Sequence, residues 1–252
     1  MMKPLCQFLA LAFLALPWAA AQAPADLDLT AVVKHFEDLY RSKSSVAVAE
    51  LTVVRPRRER SLRLKMWSKG TEHALIVIQE PAREKGTATL KVERNLWNFL
   101  PRIRRTIRIP PSMMLSAWMG SDFTNDDLVR ESSFSEDYSF ELLGRSETPA
   151  GWRIRFTAKP DVVGLWSRFE LVVDEAAKIP LEAVYYDRRD RRSRTIVWDD
   201  VRDFGGRKIP ARMTLTPVDQ EGHQTALVYH ELAFDLELPD STFSLSELER
   251  AR

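Results

Sequence analysis

One cysteine, Cys6, and four histidines supply all the thiol and imidazole chemistry in a chain of 252 residues. A lone thiol forms no internal disulfide and no thiolate-rich zinc site. Charge of one sign is scarce as well. Lys and Arg number 37 against 36 Asp and Glu, a net +1, whereas a nucleic-acid binder carries a marked basic excess. The signatures Gly-x-Ser-x-Gly, Gly-x-Gly-x-x-Gly, His-Glu-x-x-His and the P-loop are all missing from the sequence. His35, His73, His223 and His230 are scattered, and none stands beside another ligand at metal spacing. Asp122, Asp126 and Asp127 lack the glycine and the distal glutamate of a calcium loop, so helix capping accounts for them better. No catalytic residue, metal or cofactor is expected, and the chain is read as non-enzymatic.

Long apolar runs are also absent, with one exception at the start. Met1-Met2-Lys3, the apolar stretch from Leu5 to Trp18, and the small residues Ala19 to Ala23 have the layout of a secretory signal peptide. Pro17 interrupts the apolar stretch, which is shorter than the ~20 residues of a comfortable membrane span. The expected cut follows Ala21. It removes Lys3 and Cys6 and leaves residues 22–252 as one exported domain, thiol-free and formally neutral.

What the chain does contain is period-two patterning. Asp28 can cap a helix reaching about Tyr40, with Leu29, Val32, Val33, Phe36, Leu39 and Tyr40 on one side. After Ser45 the apolar residues alternate. In Arg60–Trp67, Leu62, Leu64 and Met66 share one face, and Arg63 and Lys65 take the other. Segments of the same kind begin at Val46 and recur at 75–79, 87–92, 96–100, 103–109, 138–143, 152–158, 168–173, 181–186, 195–198, 209–216 and 225–233. Turn chemistry separates them, as in Ser68-Lys69-Gly70, Asp187–Asp190 and Gly205-Gly206. Hairpin-length connections predict an antiparallel meander, mainly β within the α+β class. A sheet of that many strands must curl or close.

Residues 110–128 break the rhythm. Met113, Met114, Leu115, Trp118 and Met119 show no alternation, and Thr124 with Asp127 fits a capping box. The segment is expected to cover one mouth or face of the sheet. Methionine and tryptophan give an adaptable apolar lining for ligands such as acyl chains, and they pack ordinary cores as readily. Among residues 102–109, Arg105 shares a face with Ile103, Ile107 and Ile109. There it meets either an anionic head group or a buried acid. The charge-dense run Asp187–Arg194 reads as a solvated hairpin tip.

Several stretches then carry a family likeness. They are Lys85-Gly86-Thr87, Asn95-Leu96-Trp97-Asn98-Phe99-Leu100-Pro101, Arg104-Arg105, Met119-Gly120-Ser121-Asp122-Phe123-Thr124 and Asp127-Leu128. Trp198 through Gly206 with Pro210, and Pro239 through Leu245 with Leu248, extend it over nearly the whole exported part. The chain resembles the periplasmic outer membrane lipoprotein-sorting proteins, relatives of the carrier LolA. The resemblance implies an incomplete, half-barrel sheet covered by helices and a loop, with a hydrophobic cavity for lipid or lipoprotein acyl chains. It also implies a monomeric periplasmic carrier with transient membrane contact, working beside an inner-membrane exporter. On that reading Trp97, Phe99, Arg105, Met113, Met114, Trp118 and Met119 are expected at the cavity or its lid. Gly120, Ser121, Asp122, Phe123 and Thr124 are expected to shape the motif, Gly120 by backbone freedom and Asp122 and Thr124 by capping. Asn98 replaces the family's usual aromatic and should alter one strand face. The alternative is a regulatory or sensor domain docking to an envelope partner. An open void of roughly 300 Å³ or more favours transport, and a filled one favours the sensor.

Overall fold

A computed structural model describes residues 27–40, 42–130, 134–162 and 164–250. The expected signal peptide lies outside them. Helix α1 (Leu29–Asp38) starts where the sequence predicts, with Asp28 Oδ1 accepting from the Ala31 N–H at 3.0 Å. Six strands follow: β1 (Ser44–Arg55), β2 (Arg58–Lys69), β3 (His73–Glu80), β4 (Ala88–Val92), β5 (Asn95–Leu100) and β6 (Arg105–Arg108). A segment of short 3-10 turns leads into α2 (Asn125–Arg130) and α3 (Phe134–Asp137). The second run is β7 (Tyr138–Glu147), β8 (Ala150–Ala158), β9 (Trp166–Val173), β10 (Pro180–Asp187), β11 (Arg192–Phe204), β12 (Arg207–Pro217) and β13 (Gln224–Phe234). A C-terminal turn and α4 (Leu245–Arg250) end the described chain.

All 13 strands form one antiparallel sheet, ordered β6-β5-β4-β3-β2-β1-β13-β12-β11-β10-β9-β8-β7. Every neighbour is a hairpin partner except β1 and β13, whose pairing from Ser45↔Phe234 to Val54↔Gln224 joins two meandering arms. The sheet does not close on itself, because β6 and β7 remain its two edges. It is the half-barrel expected from the strand count and the resemblance. One topological consequence positions the rest. The chain leaves the sheet at one edge, at Arg108, and re-enters at the other, at Tyr138, so the connection must span the open side.

Alternation decides which side chains go inward. On β2, Leu62 and Leu64 are fully buried on the concave face, while Arg63 and Lys65 point outward. Each such leucine contributes roughly 1.5–3 kcal/mol by burial. The main core gathers the concave residues of β1–β3 and β7–β13 with Val32, Val33, Trp118, Phe123 and Phe134 from the cover. A second, smaller core lies on the convex face of the first arm. There Leu75, Val77, Ala88, Leu90 and Phe99 pack with Phe243 and Leu248 of the C-terminal segment.

Strand β6 is shorter than the alternation over 103–109 predicts. Pro101 to Arg104 are taken up by the hairpin turn, where Arg104 adopts φ 48°, although the Ile109 N–H still reaches Leu96 O at 2.8 Å.

Candidate functional site

Residues 110–130 and 134–137 lie over the open side as a cover. Its central piece is a tight loop in which Trp118 N–H donates to Phe123 O at 2.7 Å and Ser121 Oγ donates to Trp118 O at 2.7 Å. The reversal needs left-handed backbone at Met119 (φ 49°) and Gly120 (φ 71°), and the glycine supplies one of the two without strain. Thr124 and Asp127 form the reciprocal capping box. Thr124 N–H donates to Asp127 Oδ2 at 2.8 Å, and Asp127 N–H donates to Thr124 Oγ1 at 3.1 Å.

Two ionic clamps fix the cover to the sheet. At one end Arg55 Nη1 reaches Asp122 Oδ2 at 3.0 Å, and its Nη2 reaches Gly120 O at 3.0 Å. Thr225 Oγ1 donates to the same carboxylate at 2.6 Å, and Arg60 Nη1 holds Met119 O at 2.9 Å. Asp122 therefore anchors the loop to β1 and β13, where capping was expected of it, and the capping is done by Thr124 with Asp127. At the other end Arg194 of β11 grips Asp127 with two bonds of 2.7 Å, both partners being buried. The guanidinium lies 4.2 Å from the Trp166 ring centroid and 4.4 Å from that of Tyr185. Burial alone would raise the Asp127 pKa. The adjacent Arg194 charge and the bonds from Thr124 outweigh it and hold the carboxyl below its ordinary range. Arg194 thus departs from the solvated tip expected for residues 187–194. It falls in phase with Ile196 and Trp198, both of them buried on the concave face.

Beneath the cover lies a cavity of about 140 Å³. Its floor is a pair of cross-strand rows. Ala47, Met66, Ile76 and Thr89 form one, in register across β1 to β4. Ser45, Ser68, Ala74 and Lys91 form the next, and it is polar. In it Ser45 and Ser68 share a 2.7 Å hydroxyl contact, and Lys91 Nζ donates to Thr71 O at 2.7 Å. The roof comes from Phe36, Trp118, Phe123, Leu128 and Phe134. Trp118 is tethered by its Nε1–H, which donates to Thr89 Oγ1 at 3.0 Å. The volume is below the roughly 300–1,000 Å³ of ordinary ligand pockets, because roof side chains occupy much of the concave space.

The structure separates the residues that the resemblance grouped. Trp118 and Phe123 line the cavity, and Met119 is half-buried against the main core. Met113 and Arg105 are exposed, and Met114 is half-buried. Trp97 and Phe99 lie on the opposite, convex face with Leu90 and Phe243. Leu96 and Asn98 take the concave positions of that strand, and Asn98 accepts a bond from Thr89 Oγ1 at 2.7 Å. Asn98 thus sits one step from the Trp118 tether. The polar row and the far wall, Trp198, Met213 and Leu227, were not anticipated, although each keeps the inward phase of its strand.

A family model described as an uncharacterized protein matches residues 70–250. The chain belongs to that family. Its fold is shared with a domain from Vibrio parahaemolyticus described as an outer membrane lipoprotein-sorting protein, at 21% identity and a TM-score of 0.76, covering 87% of this chain and 97% of that one. A DUF1329 family protein from Desulfovibrio piger has a TM-score of 0.78 at 23% identity, over 86% of this chain and 96% of its own. A LolA superfamily protein from Nitrosomonas europaea has a TM-score of 0.72 at 24% identity, over 86% and 98%. No curated protein matches. At these identities the likeness is one of fold, the open LolA-like half-barrel. Among the described residues no group of three or more His, Cys, Asp and Glu is placed to hold a metal ion. No helix among them is long and apolar enough to cross a membrane.

Proposed function

We propose that this protein is a non-enzymatic periplasmic carrier. It takes lipid or lipoprotein acyl chains into the space between the concave sheet and its cover and hands them on, towards the outer membrane or an envelope exporter. The observation that carries the reading is the cavity itself. It is apolar along Leu51, Leu64, Met66 and Ile76 and polar at the Ser45, Ser68 and Lys91 row, an arrangement suited to an amphiphile. An acyl chain gains about 0.8 kcal/mol per buried methylene. Part of that gain is offset by displacing Trp118 and Phe123, so net affinity stays modest and release stays feasible. Extraction of the protein purified from periplasm, followed by mass spectrometry, should yield bound lipid, and the empty protein should take up a fluorescent fatty acid. Neither occurring would refute the carrier reading.

The small volume and the two clamps favour a second reading, a sensor domain whose closed cover is its resting form. It predicts no co-purifying lipid and a stable complex with one envelope protein. Substitutions on the exposed surface would abolish that complex, and substitutions in the cavity would not.

A further inference from the structure

Ten large apolar residues are exposed among the described residues, and four of them fall between positions 103 and 115. Ile103 is 58% exposed, Ile107 41%, Met113 47% and Leu115 49%. Interleaved with them are Arg102, Arg104, Arg105 and Arg108, and residues 101–115 contain no acid. Arg108 is engaged locally, by a bond to Asn95 Oδ1 and by the Trp97 ring. Arg102, Arg104 and Arg105 form no ion pair with any described residue. Glu249 accepts from Thr106 Oγ1 at 2.7 Å, on the convex side.

Edge protection alone does not account for this composition. Arginines on an edge strand discourage strand-to-strand association, and exposed isoleucine beside them works against that purpose. The run 187–194 makes the contrast. It holds five arginines, but Asp187 and Asp190 lie among them and pair with Arg191 and Arg168, and no large apolar residue is exposed there.

We infer that the β5–β6 turn, strand β6 and the start of the cover form a docking edge for a lipid surface bearing anionic head groups. Cationic side chains engage phosphates while isoleucine, methionine and leucine enter the head-group layer, the pattern of a shallow peripheral binder. The same edge continues directly into the cover. Asn125 Nδ2 donates to Met113 O at 3.0 Å, and Asp126 N–H donates to Met114 O at 2.8 Å, so contact at the edge touches the roof of the cavity. The inference goes beyond the carrier reading and uses none of the cavity residues.

The test is sedimentation of the full exported chain with phosphatidylcholine vesicles, with and without added phosphatidylglycerol. Wild type should bind the anionic vesicles, release as salt rises, and ignore the neutral ones. Removing two charges in Arg102→Gln/Arg104→Gln should weaken binding roughly 25-fold, and Ile103→Ser about tenfold. The control Arg189→Gln/Arg192→Gln removes the same charge and should change binding little. Unaltered circular dichroism and thermal midpoints would show that each variant is folded. The inference is overturned by equal binding to neutral vesicles, by edge variants that bind as wild type, or by no vesicle binding at all. That last result would leave the edge to an acidic protein partner. Fatty-acid uptake in solution, measured on the same variants, reports separately on the carrier reading.

Discussion

The concave face has two halves that are filled in opposite ways. Over β7 to β10 it is packed with rings. Phe156 stacks on Phe169 at 4.4 Å, Phe169 on Tyr185 at 4.9 Å, and Phe134 of the cover closes against Phe169 at 5.3 Å. Over β1 to β4 the inward positions include Ala47, Ala49, Leu51, Leu62, Leu64, Met66, Ile76 and Thr89, none of them aromatic. The cover rests on both. On the aromatic half it is pinned by the buried Arg194–Asp127 pair; on the aliphatic half Arg55 and Arg60 hold the tip of its loop, and the ring over the cavity, Trp118, is held to the floor by one neutral hydrogen bond. Space therefore exists where the sheet presents small and flexible side chains. The half that has none is filled by rings, and the roof packs against it without a gap.

If that division is right, Phe169→Ala should be the costliest change, about 4 kcal/mol in a urea unfolding experiment, because it empties a ring-lined site that cannot collapse. A loss under about 1 kcal/mol would mean that the aromatic half is not tightly packed. Asp127→Ala should follow at about 3 kcal/mol, since it strands a buried guanidinium. The double variant Asp127→Ala/Arg194→Met should recover most of that loss, and equal damage in single and double variants would reduce the pair to mere packing. Acid should act in the same direction. Asp127 is held below its ordinary pKa in the folded state, so the stability it contributes is complete above about pH 4 and disappears as pH falls through the folded value. Asp127→Asn should flatten that part of the profile.

Trp118→Phe is a finer cut at the aliphatic half. It keeps a ring in the roof and deletes the bond to Thr89, for a loss of about 1 kcal/mol. Amide exchange should quicken around 117–124 and stay unchanged in β8 and β9. Faster exchange everywhere would show instead that the cover and the whole sheet open as one unit.

Much of this architecture could be read from alternation, because one buried face imposes period two and hairpin turns carry their own residue types. The capping box at Thr124 was legible for the same reason, being local chemistry at fixed spacing. Two features were not. Strand β5 is apolar on both faces, so periodicity places Trp97 with Phe99 and Leu96 with Asn98 but does not say which pair faces the concavity. That depends on the C-terminal Phe243 and Leu248, some 150 residues later, which cover the convex side. Arg194 was hidden in a run of arginines whose other members are solvated. Its phase with Ile196 and Trp198 was the available signal, and charge density masked it. The inward arginine was sought at Arg105, whose neighbours are equally apolar but stand at an edge.

The smallest stability effect should come from the most informative substitution, Ala47→Leu. Ala47 lines the floor between Met66 and the roof. In a close-packed core, added methylenes force strain costing about 1–3 kcal/mol. Here they enter space that already exists, and the new apolar contacts compensate, so the unfolding midpoint should move by less than about 1 kcal/mol in either direction. Uptake of a fluorescent fatty acid should nevertheless fall about tenfold, because the acyl chain loses room worth two buried methylenes. The matching change in the aromatic half, Ala183→Leu between Leu171 and Ile196, should do the reverse, costing stability without touching uptake. If both variants behave alike, the cavity is incidental to the fold and the distinction between the two halves fails.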